Sequence, residues 1–305
     1  MAIGDVTEVT HGTCTDCYYV DTGMYDVEGY GAVYVLDVDR PALVDTGIGT
    51  NHELVLAALD EIGIAREELA VIAPTHVHLD HAGGAGFLAE ACPNATVAVH
   101  EIGAPHLVDP SRLIAGTKRA VGDQWRYYTE PEPVPADRVR ELTDGDAIDL
   151  GNHELRAHHA PGHAPHQVMY HDPTNAAIFT GDAAGLWIPD REEIHQTSPP
   201  PNFELEQALA DLETFRSIGP ETLLFAHFGP ASYSDELIAE YARVLTNWVT
   251  SVAEKREELG DDEAVVAHFV ENTDVADVWG EEKAQAETAM NVRGVLVYLD
   301  RLADE

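Results

Sequence analysis

Short apolar runs, each closed by a polar residue, recur through the first three quarters of the chain. Residues 17–20, 32–37, 41–45, 69–73 and 95–99 are rich in Val, Ile, Leu, Ala and Tyr and too short for buried helices, so they predict strands. Between them, 51–62 predicts an amphipathic helix, and a second helix opens after His81. A second series repeats the grammar, with strands at 146–150, 153–159, 167–171, 176–181 and 222–226 and a helix near 203–217. Two sets of strands interleaved with helices predict an α/β layer structure, and no short internal repeat is present.

Three stretches stand outside that alternation. Residues 101–135 read as helix and loop, running from Leu113-Ile-Ala-Gly-Thr-Lys-Arg-Ala-Val through Trp125-Arg-Tyr-Tyr to the proline-rich 130–135. Residues 185–202, with Trp187-Ile-Pro and Pro199-Pro-Pro201, read as a loop in which His195 is solvated. From 235 to 258 the apolar positions Leu237, Ile238, Tyr241, Val244, Leu245, Trp248, Val249 and Val252 keep a three-and-four spacing that buries one helix face. The Gly260-Asp-Asp break separates it from helical patterns at 262–271 and 281–302. The chain therefore divides into 1–232 and a helical region, 233–305.

The candidate chemistry lies where the strands end. Thr75-His76-Val77-His78-Leu79-Asp80-His81 gathers three histidines and a carboxylate directly after the run at 69–73. Imidazole nitrogen and carboxylate oxygen suit Zn²⁺ and its first-row neighbours, and a strand-end loop can aim several of them at one point. His76 and His78, two apart on an extended turn, can face one ion, while Asp80 and His81, where Ala82-Gly83-Gly84 begins a helix, can face a second. The plainer alternative is a surface cluster of polar loop residues. Three more apolar segments end in the same residue types: Ala160-Pro-Gly-His163, Ile178-Phe-Thr-Gly-Asp182 and Leu223-Leu-Phe-Ala-His227.

In that order, His-x-His-x-Asp-His, a later His, a Gly-Asp and a last His resemble the metallo-β-lactamase superfamily, and its glyoxalase II-like hydrolases more than the β-lactamases. The likeness covers roughly residues 15 to 230. It implies a four-layer αββα sandwich, with the helical C-terminal region capping the active site and helping to choose the substrate. It implies that His76, His78 and His163 bind one metal, that Asp80, His81 and His227 bind a second, and that Asp182 bridges. Asp45, in Ala42-Leu-Val-Asp45, matches the family's buried strand-end Asp that supports the site from behind.

Two divalent ions, zinc first with iron or manganese as alternatives, are the expected cofactors. Held about 3.5 to 4 Å apart, they lower the pKa of a bridging water toward about 7 and polarise the oxygen of the bond attacked. The expected reaction is attack of a metal-bound hydroxide on an ester, thioester or lactone. The resemblance further implies Asp80 as the catalytic residue: where one of its oxygens is free of the metal, it orients the nucleophile and carries a proton to the leaving group. A Gly-x-Ser-x-Gly motif is absent.

Other members keep parts of the same pattern. An RNase Z-like phosphodiesterase or nuclease shares His-x-His-x-Asp-His, but this chain lacks a basic arm and nucleic-acid affinity rests largely on cations at phosphates. An iron-dependent persulfide dioxygenase uses one metal, and flavodiiron proteins carry Glu where His78 stands, so His78 and His227 disfavour redox chemistry. Lys118 and Arg119, beside Trp125, Tyr127 and Tyr128, form a candidate anion-binding and stacking wall, with an exposed helix face and ordinary aromatic packing as the alternative. The dense basic set that clamps glutathione is not visible. Of the histidines that lie around His163 in the sequence, His158, His159, His166 and His171, only His166 is singled out as a supporting partner of the ligands.

Charge sets the environment. The chain carries 55 acidic against 17 basic residues, a formal charge of -38 spread along its length, and only three of the bases are lysines, Lys118, Lys255 and Lys283. Self-repulsion of that size is tolerable where molar salt cuts the Debye length to about 3 Å, which points to an extreme halophile. At 45% hydrophobic residues a sizeable core is expected. The start is polar and no apolar run reaches the roughly 18 residues of a membrane span, so a cytoplasmic protein with a small-molecule substrate is expected, a homodimer being left open. Cys14 and Cys17 have zinc-knuckle spacing, yet Cys92 is the only other cysteine, so Cys17 is expected to begin the first strand as a small apolar residue.

Overall fold

The computed structural model describes residues 2–304, and its strands show why two layers form: alternate residues of one strand enter different cores. In β3 (Ala32–Leu36), Val33 and Val35 join a cluster with α1 (His52–Ile62) and α3 (Ala85–Ala91), whereas Ala32, Tyr34 and Leu36 face the opposite sheet. Side chains of period two, all buried, require cover on both faces.

The first sheet runs β1 (Val6–Glu8), β2 (Cys17–Asp21), β3, β4 (Ala42–Val44), β5 (Val71–Ala73), β6 (Thr96–His100) and β7 (Val139–Leu142), antiparallel to β4 and parallel from there. The second orders β8 (Ala147–Asp149), β9 (Glu154–His159), β10 (Val168–Asp172), β11 (Ala177–Gly181), β14 (Thr222–Phe225) and β15 (Gly229–Ser232) in the sequence 15-14-11-10-9-8. Tyr34, Tyr170, Phe179 and Leu224 fill the space between them. On the outer face of the second sheet, Met169, Ile178, Leu223 and Phe225 pack with α6 (Leu205–Ile218), α7 (Asp235–Leu259), α8 (Asp262–Glu271) and α10 (Glu281–Asp304). The expected αββα layering is observed.

The C-terminal helices are set by local signals. The Ser234 side chain accepts from the Leu237 amide at 3.0 Å to start α7, Gly260 at φ 65° ends it, and Asp261 caps α8 by accepting from Ala264 at 2.8 Å. Tyr241, Leu245, Val249 and Val252 of α7 share one buried cluster with the second sheet. After the short α9 (Ala276–Trp279), the start of α10 turns back, and Trp279 and Ala284 pack with Tyr25, Tyr30 and Leu186.

Some expectations need correction. Residues 185–202 contain a hairpin, β12 (Leu186–Ile188) with β13 (Glu193–His195), and are not simply a loop. His195 is accordingly a half-buried strand residue with Nε2 3.4 Å from Glu193, not a solvated one. β1, β7 and β15 were not anticipated; all are edge strands, with sequences such as Val-Arg-Glu-Leu and Gly-Pro-Ala-Ser whose extended form comes from pairing, not from their own pattern. The 101–135 stretch forms α4 (Ala104–Val108), α5 (Ser111–Val121) and a 3₁₀ turn at 122–127. Cys17 begins β2, and both it and Cys14 are buried as free thiols.

Candidate metal centre and active-site cavity

The two sheets bring their ligand-bearing ends to one edge. β5 ends two residues before Thr75, and the chain passes through His76 and His78 into the single turn α2 (Leu79–Ala82), which carries Asp80 and His81. From the second sheet, His163 precedes β10, Asp182 follows β11 and His227 follows β14. All seven residues singled out in the sequence meet there.

Their donor atoms fall into three overlapping groups that could each hold a metal, and one of them, His76 with His81 and Asp182, links the other two. His76 Nε2 and His163 Nε2 lie 3.0 and 3.1 Å from His78 Nδ1, close to the roughly 3.3 Å edge of a tetrahedron of nitrogens about 2.0 Å from zinc. Donor atoms of Asp80, His81 and His227 form a second group within 4.8 Å of one another. Asp182 stands between them: Oδ2 is 3.3 Å from His163 Nε2, and Oδ1 is 3.4 Å from both His81 Nε2 and His227 Nε2. His81 Nε2 and Asp182 Oδ1 are buried with no hydrogen-bond partner. Nitrogen lone pairs packed against each other and an orphaned carboxylate oxygen are what a cation resolves, and the donor set fits divalent first-row metals.

Behind these groups the rings of His81 and His227 are oriented by hydrogen bonds. Asp45, at the end of β4 with φ 62°, faces His81 Nδ1 across 3.1 Å with one oxygen and accepts from the Thr75 amide and hydroxyl at 2.7 and 2.8 Å with the other. A left-handed Asp is uncommon and here turns the carboxylate inward. His227 Nδ1 donates to the Tyr30 carbonyl at 2.9 Å, and the Asp182 amide to Gln167 Oε1 at 3.1 Å. Gly181, at φ 49°, has no room for a side chain, since a Cβ would meet Thr75 Oγ1 at 2.9 Å. His166 accepts from the Val77 amide at 3.4 Å with its ring centre 5.4 Å from His78, close behind the ligands, whereas His159 bonds the Pro165 carbonyl and His158 and His171 pair with each other.

Electrostatics divide along the same line. Burial, reinforced by the surrounding histidines, pushes His76 well below its ordinary pKa, and burial likewise lowers His78 and brings His163 down to about 3. Burial also works against charge on His81, but Asp182, Asp45 and Asp80 outweigh it and raise His81 to about 10. Asp182, despite its burial, is held well below the carboxylate range by His81, His163 and His227. One group is thus neutral nitrogen; the other is an ion-pair network.

The centre opens into a cavity of about 650 Å³ walled by α5, α10, α8 and residues 199–202. Three lining residues, Tyr25, Lys283 and Glu287, carried no signal of their own in the sequence. Tyr25 shares a hydroxyl–hydroxyl hydrogen bond with Tyr128, the Lys283 ammonium sits 3.5 Å over the Tyr25 ring, and Lys283 is paired with Glu287 at 2.7 Å, both nearly buried. Of the expected anion-binding wall, Arg119 and Tyr128 line the cavity, but Lys118 does not: it pairs with Glu130 at 2.7 Å and lies over Trp125.

Fold and site together define a metallohydrolase-type αββα protein, and sequence comparison gives the family. The family model of the metallo-β-lactamase superfamily matches residues 26–227, and the chain belongs to that superfamily, as an enzyme of its metal-dependent hydrolase type. It is 25% identical over 224 residues to a metallo-β-lactamase fold-containing protein of Sulfurisphaera tokodaii, covering 72% of this chain and 80% of that one. The solved structure of an archaeal superfamily protein from Sulfolobus tokodaii matches with a TM-score of 0.70 at 22% identity, over 93% of this chain and 99% of that one. An acyl-coenzyme A thioesterase of Gallus gallus is 32% identical over 47% of this chain, and a hydroxyacylglutathione hydrolase of Maricaulis maris 28% identical over 51%. The chain spans about half the length of those last two relatives, 53% and 47%. Among the described residues no helix is long and apolar enough to cross a membrane.

Proposed function

We propose that this chain is a dinuclear hydrolase acting on the carbonyl carbon of a small ester, thioester or lactone. The observation that carries the reading is Asp182, with one oxygen beside His163 and the other beside both His81 and His227. In this reading His76, His78 and His163 hold one ion, Asp80, His81 and His227 the other, Asp182 is shared, and zinc is the resident metal. Bound there, divalent cations supply Lewis-acid chemistry, acidifying a water and polarising the carbonyl.

The chain's own groups do the rest. Asp80 is the most solvent-accessible of the three carboxylates, its side chain 25% exposed, so an oxygen is available to take the proton of the attacking water and pass it to the leaving group. Asp45 and the Tyr30 carbonyl fix the rings of His81 and His227 so that both keep their Nε2 atoms inward. The names of the thioesterase and hydroxyacylglutathione hydrolase relatives favour thioesters within the class. Residues 233–305 act as a cap, since α8 and α10 wall the cavity. Nucleic acid is disfavoured by a charge of -38.

The same charge, spread over the whole chain, supports an enzyme that works in molar salt, and in this reading the enzyme is cytoplasmic. A melting temperature that climbs steeply from dilute buffer to molar KCl is expected; a flat one removes that part of the reading. The function itself is tested by metal analysis of natively purified protein, with a hydrolysis screen over thioesters, lactones, phosphodiesters and RNA in high KCl. Two divalent ions per chain and turnover of a carbonyl substrate are expected. One tightly bound iron and no second metal overturns the dinuclear reading.

A further inference from the structure

Nearly every base in this chain is already engaged. Of its 14 arginines, Arg40, Arg66, Arg126, Arg156, Arg191, Arg216, Arg243, Arg256, Arg293 and Arg301 form ion pairs, and Arg138 and Arg140 donate to backbone carbonyls. All three lysines are paired with glutamates. That leaves Arg112 and Arg119, which make no ion pair or side-chain hydrogen bond among the described residues. Both lie on α5 and both line the cavity that holds the metal centre.

Their position on the helix is shared. Seven residues are two turns, so the two guanidinium groups leave one face of α5 about 10 Å apart along its axis. Asp109 is within electrostatic reach of Arg112 but is already hydrogen-bonded to the Ser111 amide at 3.1 Å. The acids on the facing walls are also taken: Asp262 and Asp300 by Arg256 at 2.8 and 2.7 Å, Glu287 by Lys283, and Glu263 by Arg293 at 3.7 Å. Apart from the carboxylates of the metal centre, the cavity is left with two guanidinium groups that form no ion pair, Arg112 with Asp109 as its nearest named acid and Arg119 with none, in a chain of net charge -38. With 55 acids to choose from, two guanidinium groups left without an ion pair on one wall are matched to a charge that the chain does not itself place against them.

Resting on the hydrolase reading above, we propose that Arg112 and Arg119 bind an anionic group, phosphate or carboxylate, on the substrate, so that the substrate class is an ester or thioester carrying an anionic arm. The arginine fork suits either oxyanion through paired N–H donors. The scissile carbonyl meets the metal centre, while the anion is held on α5. Two arginines on a single helix face give no continuous track for a polymer.

The test uses binding, so that it stands apart from turnover. S-butyl thioethers of coenzyme A, glutathione and pantetheine carry phosphates, carboxylates and no anion respectively, and none contains the thioester that would be cleaved. Calorimetry is run on the metal-loaded full chain at the lowest KCl that keeps it folded, because screening shortens the contact. Wild type is expected to bind at least one anionic thioether about tenfold more tightly than the pantetheine one, the preferred thioether identifying phosphate or carboxylate. Arg112→Gln/Arg119→Gln abolishes that preference and leaves pantetheine binding unchanged; both residues are exposed and glutamine favours helix, so folding is retained. Lys118→Gln, outside the cavity, keeps the preference. No preference in wild type, an unchanged preference in the double variant, or an equal loss in Lys118→Gln overturns the proposal. Turnover of butyryl-pantetheine by wild type separately tests the hydrolase reading.

Discussion

The floor and the roof of the cavity are built by opposite means. On the floor, the ligand rings are nearly all buried, the Asp45 carboxylate and the Tyr30 carbonyl hold His81 and His227 from behind, and Gln167 accepts from the Asp182 amide. On the roof, α5 has no fully buried residue, and its Arg112 and Arg119 side chains make no ion pair or side-chain hydrogen bond among the described residues. The floor is over-determined because reaction needs donors fixed to within fractions of an ångström; the roof is loosely anchored, as surfaces that accommodate a substrate generally are.

The contrast breaks most sharply at Asp182. In the dinuclear reading Asp182→Ala removes the shared carboxylate, which has one oxygen beside His163 and the other beside His81 and His227, so metal analysis should show occupancy of both sites lowered and turnover reduced by about a thousandfold or more. Asp80→Ala should abolish turnover with less loss of the first ion, since Asp80 belongs to the second set alone. Wild-type turnover in either variant overturns these roles.

A step further from the reacting atoms, Asp45→Asn tests whether support from behind matters as the floor picture says. Asparagine tolerates the left-handed backbone at φ 62°, so the fold should persist while His81 loses its charged partner. Metal affinity should fall about 10- to 100-fold, read by competition with a chelator. An unchanged affinity makes Asp45 a folding residue only.

What the sequence revealed follows the same division. The floor is local: His76, His78, Asp80 and His81 come from one turn, and His163, Asp182 and His227 each end or precede a short apolar strand, so their residue types and spacing survive in one dimension. The layers were legible for the same reason, because central strands buried on both faces are apolar throughout. The roof is tertiary. Tyr25, Lys283 and Glu287 lie over 250 residues apart in part and meet only when α10 folds back, and Arg112 acquires meaning only beside its unpaired neighbour Arg119. Lys118 misled because proximity in sequence to aromatic residues does not fix which face of a helix they share; Glu130 and Trp125 draw it away.

Protonation sharpens the floor's internal asymmetry. In metal-free protein His81 is raised to about 10 from an ordinary 6.5, so its pairing with Asp182, Asp45 and Asp80 contributes stability fully present below pH 6.5 and lost as pH rises through about 10. Metal binding needs that ring neutral and must displace its proton. Calorimetric titration of zinc into metal-free protein at neutral pH, in buffers of different ionisation enthalpy, should therefore report release of about one proton from this ring, and apparent affinity should rise with pH. No proton release would mean that His81 is already neutral before metal binds.

The smallest effect is expected on the roof, at Gly116. It sits inside α5 and lines the cavity, and a Cβ built there meets nothing within 4 Å. Gly116→Ala should raise stability by up to about 1 kcal/mol, the ordinary helix advantage of alanine, with metal content and turnover of small esters unchanged. Gly116→Leu should keep that metal content and yet raise KM several-fold for thioesters with bulky arms, because its side chain enters space that the substrate uses. If leucine lowers metal occupancy instead, α5 is coupled to the ligands and the division between a rigid floor and an independent roof fails; if KM stays constant for every arm length, substrate does not pass along this wall.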